Sequence, residues 1–257
     1  MTRRFLAVWL PASVALAASV ACEPEFLPPP PAPASAPAGA APVSSSSSSA
    51  APTPSPSPSP AAAHHAASEL DPSLATAQAP EVFLADFTTT KGDFVVEVHR
   101  AWAPHAADRF FNLIKLGFYD DTRFFRAIPD FMVQFGISGE PEVAAKWRGA
   151  TIADDPVTQS NLRGFMTFAQ TGRPDSRTTQ VFILYSNHPT LDASRFAPFA
   201  KVVRGMEVVD DLYKGYGEGA PKGSGPDQNR IQDEGNGYLD RDFPRLDRVL
   251  RTRIVER

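Results

Sequence analysis

From residue 81 onward the chain is built of short runs in which apolar and polar positions alternate, the period of a strand with one buried face. These runs predict strands over 82–88, 93–99, 122–127, 131–136, 164–169, 180–185, 199–203 and 248–255. Two segments change to helical spacing. Over 104–116 a proline at the first turn is followed by Ala106, Phe110, Leu113 and Ile114 on one face, and Gly117 stops the run. A second, shorter helix is expected over 206–212. This pattern predicts a mainly β domain, a closed eight-stranded antiparallel β-barrel capped by two α-helices. A stretch of about 175 residues fits one domain with one core.

The first 80 residues show neither period. Met1-Thr2-Arg3-Arg4 is basic and an apolar stretch follows as far as Ala21, the layout of a secretory signal peptide. The stretch is too short, and too interrupted by Pro11, to read as a membrane span. The only cysteine of the chain, Cys22, follows Ser19-Val20-Ala21 and resembles the lipidated residue of a bacterial lipobox. Ser19 departs from the Leu, Val or Ile usual in that motif. Residues 1–22 are therefore expected to be a signal peptide with Cys22 as a lipidation site. Residues 23–80 are expected to form a disordered Pro/Ala/Ser-rich linker: they hold about half of the 26 prolines and too few large apolar residues to offset ordering entropy. Such a tether could extend on the order of 150 Å. Together these features place the protein in the bacterial cell envelope, exported, with the domain in the periplasm or at the cell surface.

Composition removes several chemistries. With Cys22 used as an anchor, the domain at 81–257 has no cysteine for a disulfide or a thiolate metal site. The five histidines are scattered and offer no metal-ligand spacing, so neither metal nor cofactor is expected. The formal net charge is −4 with both signs mixed, which argues against a nucleic-acid partner. A monomer is expected. The Gly-rich stretch at 215–225 lacks the Gly-Lys-Ser/Thr order of a phosphate loop and reads as a surface loop. The acidic stretch after it matches no calcium loop.

The most informative run is 124–136, Phe-Phe-Arg-Ala-Ile-Pro-Asp-Phe-Met-Val-Gln-Phe-Gly. One arginine, Arg126, stands among Phe125, Ile128, Phe131 and Met132, with Gln134 a few residues on. A guanidinium beside an apolar wall is costly without a purpose, because a charge without a partner loses its hydration. Such a pair suits a site that grips an apolar ring and donates hydrogen bonds to the amide beside it. The run resembles the cyclophilin motif F-H-R-x-I-x-x-F-M-x-Q-G-G at most positions. Further matches are Gly117-Phe118-Tyr119 after the first helix, then Gly164-Phe165-Met166-Thr167-Phe168-Ala169 leading to Thr179-Gln180-Val181-Phe182-Ile183. Leu191-Asp192 and Phe199-Ala200-Lys201-Val202-Val203-Arg204-Gly205-Met206 complete them.

The resemblance implies a peptidyl-prolyl cis-trans isomerase with proline-containing peptides and unfolded protein clients as partners. It implies that Arg126 is the catalytic arginine and that Phe131, Met132, Phe182 and Leu191 line the proline pocket. By the same comparison Gln134 and Gln180 are the polar residues beside the pocket, and Ala169 and Gln170 are the edge that pairs with the substrate backbone. Phe125 and Phe196 stand where many cyclophilins carry His and are expected to contact substrate too. Phe135, Ile137-Ser138 and Thr190 are further departures. Phe125 and Phe135 keep open an alternative, a non-catalytic proline-peptide-binding scaffold that uses the same groove.

Overall fold

The computed structural model describes residues 70–255; the expected signal peptide, Cys22 and most of the expected linker lie outside them. Eight strands are present: β1 (Val82–Thr89), β2 (Gly92–His99), β3 (Arg126–Ile128), β4 (Met132–Phe135), β5 (Phe165–Phe168), β6 (Val181–Leu184), β7 (Pro198–Arg204) and β8 (Val249–Val255). All pair antiparallel in one sheet of order β3-β4-β6-β5-β7-β2-β1-β8. Alternation along β1 and β2 turns Phe83, Ala85, Phe87, Phe94, Val96 and Val98 into the core, where Phe87 stacks on Phe94 at 4.8 Å between centroids.

The closed barrel of the sequence reading is corrected to an open, curled sheet. Among the described residues no ladder joins β3 to β8. They approach only through a single bridge, Arg123 to Arg248, flanked by bonds such as Phe124 N–H to Asp247 C=O at 3.0 Å. The expected strand over 122–127 shrinks to three residues; the chain before it bonds to the start of β8 only at isolated points, Asp121 N–H to Val249 C=O at 2.9 Å and Val249 N–H to Thr122 C=O at 3.0 Å. Arg123 there is buried and ion-paired with Asp121 at 2.8 Å and Asp240 at 2.9 Å.

Two caps are also too few. The expected helices appear as α1 (Pro104–Lys115) and, fourth in chain order, α4 (Met206–Asp210), and three more are present: α2 (Pro141–Arg148), α3 (Thr190–Ala193) and α5 (Gln228–Asp242). Helix α1 lacks a side-chain cap of its own. The Asp155 carboxylate accepts from the N–H groups of His105 (3.0 Å) and Ala106 (2.9 Å), supplying the acceptors that the first turn needs.

The packed region reaches back beyond residue 81. Trp147 Nε1–H donates to Leu70 C=O at 2.7 Å, and Asn112 exchanges hydrogen bonds with the backbone of Ala77. Leu70 and Ala79 are buried. The linker's composition masked these contacts.

Helix α5 occupies the segment for which the sequence offered no role. Asp227 caps it by accepting from Asn229 and Arg230 N–H. Gly235 breaks it with φ of 63° and ψ of −151°. A Cβ there would lie 2.1 Å from the Gly139 carbonyl oxygen, so only glycine permits this close approach. The next residue, Asn236, donates its N–H to Gly139 C=O at 2.9 Å. Ile231, Tyr238 and Leu239 of α5 then cover Phe125 and Ile137 in a cluster separate from the main core.

Because Phe125 is buried in that cluster, Phe125→Ala is expected to cost about 3–5 kcal/mol of stability, as for other buried phenylalanines. Urea unfolding checks this. A variant within 1 kcal/mol of wild type, on the same scale, would show that α5 does not depend on this side chain.

Candidate active site

Strands β4 and β6 are buried on both faces, and the two faces do different things. Val133, Phe135, Val181 and Ile183 enter the main core. Met132, Phe182 and Leu184 turn the other way and form a second apolar cluster with Leu191, bordered by Ile128, Phe131, Ala169 and Phe196. Register places the polar groups on this second face. Gln134 lies opposite Phe182 on β6 and opposite Arg126 on β3, and Met132 lies opposite Leu184 and Ile128. Directly opposed residues share a face, so Arg126 and Gln134 flank the apolar cluster.

The walls are held from outside the sheet. Helix α3 presents Leu191, and Asp192 beside it accepts from Ser160 Oγ (2.6 Å), Asn161 N–H (2.9 Å) and Asn161 Nδ2 (2.7 Å). Burial works to raise the Asp192 pKa, but these hydrogen bonds outweigh it and hold the carboxyl below its usual value. Asn161 also donates to Phe196 C=O at 2.8 Å. The Phe196 ring meets Phe182 edge-on at 5.5 Å, and Phe131 meets His188 edge-on at 4.9 Å.

The polar side of the site is a chain of side chains. Arg126 Nη1 donates to Gln134 Oε1 at 3.0 Å, and Gln134 Nε2 donates to Gln180 Oε1 at 2.7 Å. On its other edge Arg126 donates through Nε and Nη2 to the two oxygens of Glu218, both at 2.6 Å. Glu218 belongs to the Gly-rich loop between α4 and α5. Burial pushes its carboxyl up, but the bonds and charge of Arg126, with the Gly219 N–H, bring it below the ordinary glutamate range. It is ionised at neutral pH.

Of the residues singled out from sequence, the structure gathers Arg126, Phe131, Met132, Gln134, Ala169, Gln180, Phe182, Leu191 and Phe196 around one face. Gln170 is next to Ala169 at its edge and donates to Ser194 C=O at 2.7 Å. Phe125 is placed elsewhere. It is buried under α5, which corrects its reading as a substrate contact: the helix takes the surface that the side chain would otherwise offer to a ligand. Glu218 is the site residue that sequence reasoning missed. A single acid in a Gly-rich stretch carries no local mark of a partner 92 positions away.

Comparison with known proteins agrees with this geometry. Residues 84–232 match the family described as cyclophilin type peptidyl-prolyl cis-trans isomerase/CLD. A peptidyl-prolyl cis-trans isomerase of Acinetobacter baylyi is 36% identical over 134 residues, 50% of this chain and 71% of the relative. Peptidyl-prolyl cis-trans isomerase B of Escherichia coli is 33% identical over 137 residues, 50% of this chain and 83% of the relative. In fold, the chain resembles a crystal structure of a Cryptosporidium parvum cyclophilin type peptidyl-prolyl cis-trans isomerase. The TM-score is 0.51 at 22% identity, covering 68% of this chain and 99% of the other. A second structure of that protein, determined in the presence of the dipeptide Ala-Pro, gives a TM-score of 0.50, with the same identity and coverage. A matched family model spanning more than half of the chain, together with relatives that it covers over more than two thirds of their length, shows that the chain belongs to the cyclophilin type peptidyl-prolyl cis-trans isomerases.

Proposed function

We propose that this peptidyl-prolyl cis-trans isomerase uses Arg126 as its catalytic residue and works in the bacterial envelope, anchored through lipid on Cys22. One observation carries the first part. Arg126 is held on the same face as the apolar cluster of Met132, Phe182, Leu184 and Leu191, and Gln134 fixes one end of its fork. The dipeptide Ala-Pro present with the Cryptosporidium parvum neighbour supports proline-containing peptides as the ligand class.

The chemistry asks little of the protein. The X–Pro bond resists rotation through amide resonance, with a barrier of roughly 18–20 kcal/mol, and exchanges unaided in about tens to hundreds of seconds. No bond is broken, so the reaction calls for no nucleophile. As the amide twists, the proline nitrogen becomes pyramidal and regains its lone pair. A guanidinium N–H directed at that nitrogen binds the twisted state more strongly than the planar one, which is what lowers a barrier. Met132, Phe182 and Leu191 hold the ring while the rest of the peptide turns. A fixed charge beside this apolar surface acts without solvent reorganisation.

The anchoring proposal rests on sequence: a basic start, an apolar stretch and the sole cysteine directly after Ala21. The Pro-rich segment that follows would hold the domain away from the membrane, where it would meet envelope or secreted proteins as folding clients.

Arg126→Ala is expected to lower kcat/KM for a proline peptide by about 100-fold, equivalent to roughly 2.7 kcal/mol. Arg126→Lys should not restore it, because the planar fork is lost. Near-normal exchange by the alanine variant, followed by NMR, would exclude Arg126 from the mechanism. For the anchor, radioactive fatty acid should label wild-type protein in cells and leave Cys22→Ser unlabelled; equal labelling of both would sink the proposal.

The pH dependence follows from Glu218. Its folded pKa is lowered, so the ion pair with Arg126 is complete above the ordinary carboxylate value and is lost as pH falls through the lowered one. The expected kcat/KM profile is flat from about pH 5 to 8, the range in which histidine titrates. A step near pH 6.5 with circular dichroism unchanged would implicate a histidine, and His188, against Phe131, would be the first to test.

A further inference from the structure

The Glu218–Arg126 contact is not accounted for by the isomerase reaction as derived above, yet it uses the reacting group directly. Two of the five guanidinium hydrogens go to Glu218 and one to Gln134. One hydrogen on each of Nη1 and Nη2 remains outside these bonds, enough to reach a substrate amide. The arginine is therefore gripped at both ends without being consumed.

The grip is built into the backbone. Glu218 Oε1 also accepts from Gly219 N–H at 2.9 Å, so the carboxylate is oriented by its own loop. The Glu218 carbonyl accepts from Gly225 N–H at 2.8 Å. A Cβ on Gly223 would come within 2.3 Å of that carbonyl oxygen, so the loop closes this tightly only with glycine there. Further out, the ring of Tyr216 meets Tyr213 and Phe243 edge-on, each at 5.0 Å, and Phe243 meets Tyr238 of α5 at 5.5 Å. Phe243 packs against the cluster that holds Phe125. The segment after α4 thus holds the start of β3 twice: α5 covers Phe125, just before the strand, and the loop pairs with its first residue, Arg126.

We propose that Glu218 is a positioning residue for the isomerisation, fixing the plane of the Arg126 fork so that its remaining N–H groups face the proline amide. A bidentate carboxylate restrains a guanidinium more than a single acceptor can, because two parallel N–H···O bonds fix its plane. Arg126 otherwise carries a flexible stem, and misplacement by about 1 Å can cost 100-fold in rate. A loop pinned this firmly is a support rather than a flap that substrate must push aside. Glu218 would act through Arg126 and not on the substrate, and the inference rests on the reading of Arg126 as catalytic.

The test is a double-mutant cycle on the full chain, with kcat and KM measured separately for a proline peptide and folding followed by circular dichroism. Glu218→Ala is expected to lower kcat about 10-fold with KM changed less than about twofold, the pattern of lost transition-state interaction. Glu218→Gln, which keeps one acceptor and the side-chain size, should recover part of the loss and guards against misfolding of the alanine variant. In an Arg126→Ala background neither change should have a further effect. Four results would overturn the inference. Activity above wild type in Glu218→Ala would make the residue a brake. An equal loss in both backgrounds would make it merely structural. Wild-type activity in Arg126→Ala would remove the reading of Arg126 and this inference with it, whereas a slow Arg126→Ala beside a normal Glu218→Ala would remove the inference alone.

Discussion

The guanidinium of Arg126 is drawn partly out of water beside an apolar cluster, and its charge has to be answered by protein groups. That requirement organises the molecule around it. Glu218 supplies the opposite charge and Gln134 the neutral acceptor, with Gln134 in turn held by Gln180. Each of these depends on something larger. Gln134 faces Arg126 only in the observed β3–β4 register, since a slip of one residue would turn it to the other face. Glu218 reaches the arginine only because the loop after α4 is closed tightly against β3. Removing one partner of such a pair costs more than the pair is worth, because the other charge is left stranded. The site is best regarded as one unit of four side chains.

The same constraint explains why the departures from the family pattern do not read as decay. Phe125 stands where many cyclophilins have His, and Ile137 is another departure from the family pattern. In the structure both form the bed for α5. Phe135, another departure, enters the main core against Phe87, Tyr119 and Phe124. Phe125 and Ile137 give α5 an apolar bed, and Phe135 fills the core. Helix α5 and the residues before and after Arg126 belong to one packing arrangement. Phe196 is the exception: it stays at the groove, edge-on to Phe182, and makes that wall more apolar.

Much of this was legible along the chain. Strand and helix periods emerge from which positions must face a core, and local alternation reports that directly. The proposed catalytic arginine and part of its pocket were also visible, because a two-strand turn brings Arg126, Phe131, Met132 and Gln134 together within one short motif. Tertiary structure alone decided what covers each face. The two-period of β4 and β6 cannot say that one face enters the main core and the other lines a site, since both are buried. It cannot say that the stretch before β3 meets residues 247–249 through one bridge and a few bonds instead of a full ladder, which leaves the sheet open. Nor can it pair Glu218 with Arg126. An ion pair is specified by where two backbones are carried in space, and the sequence between them records only the local turns that carry them there.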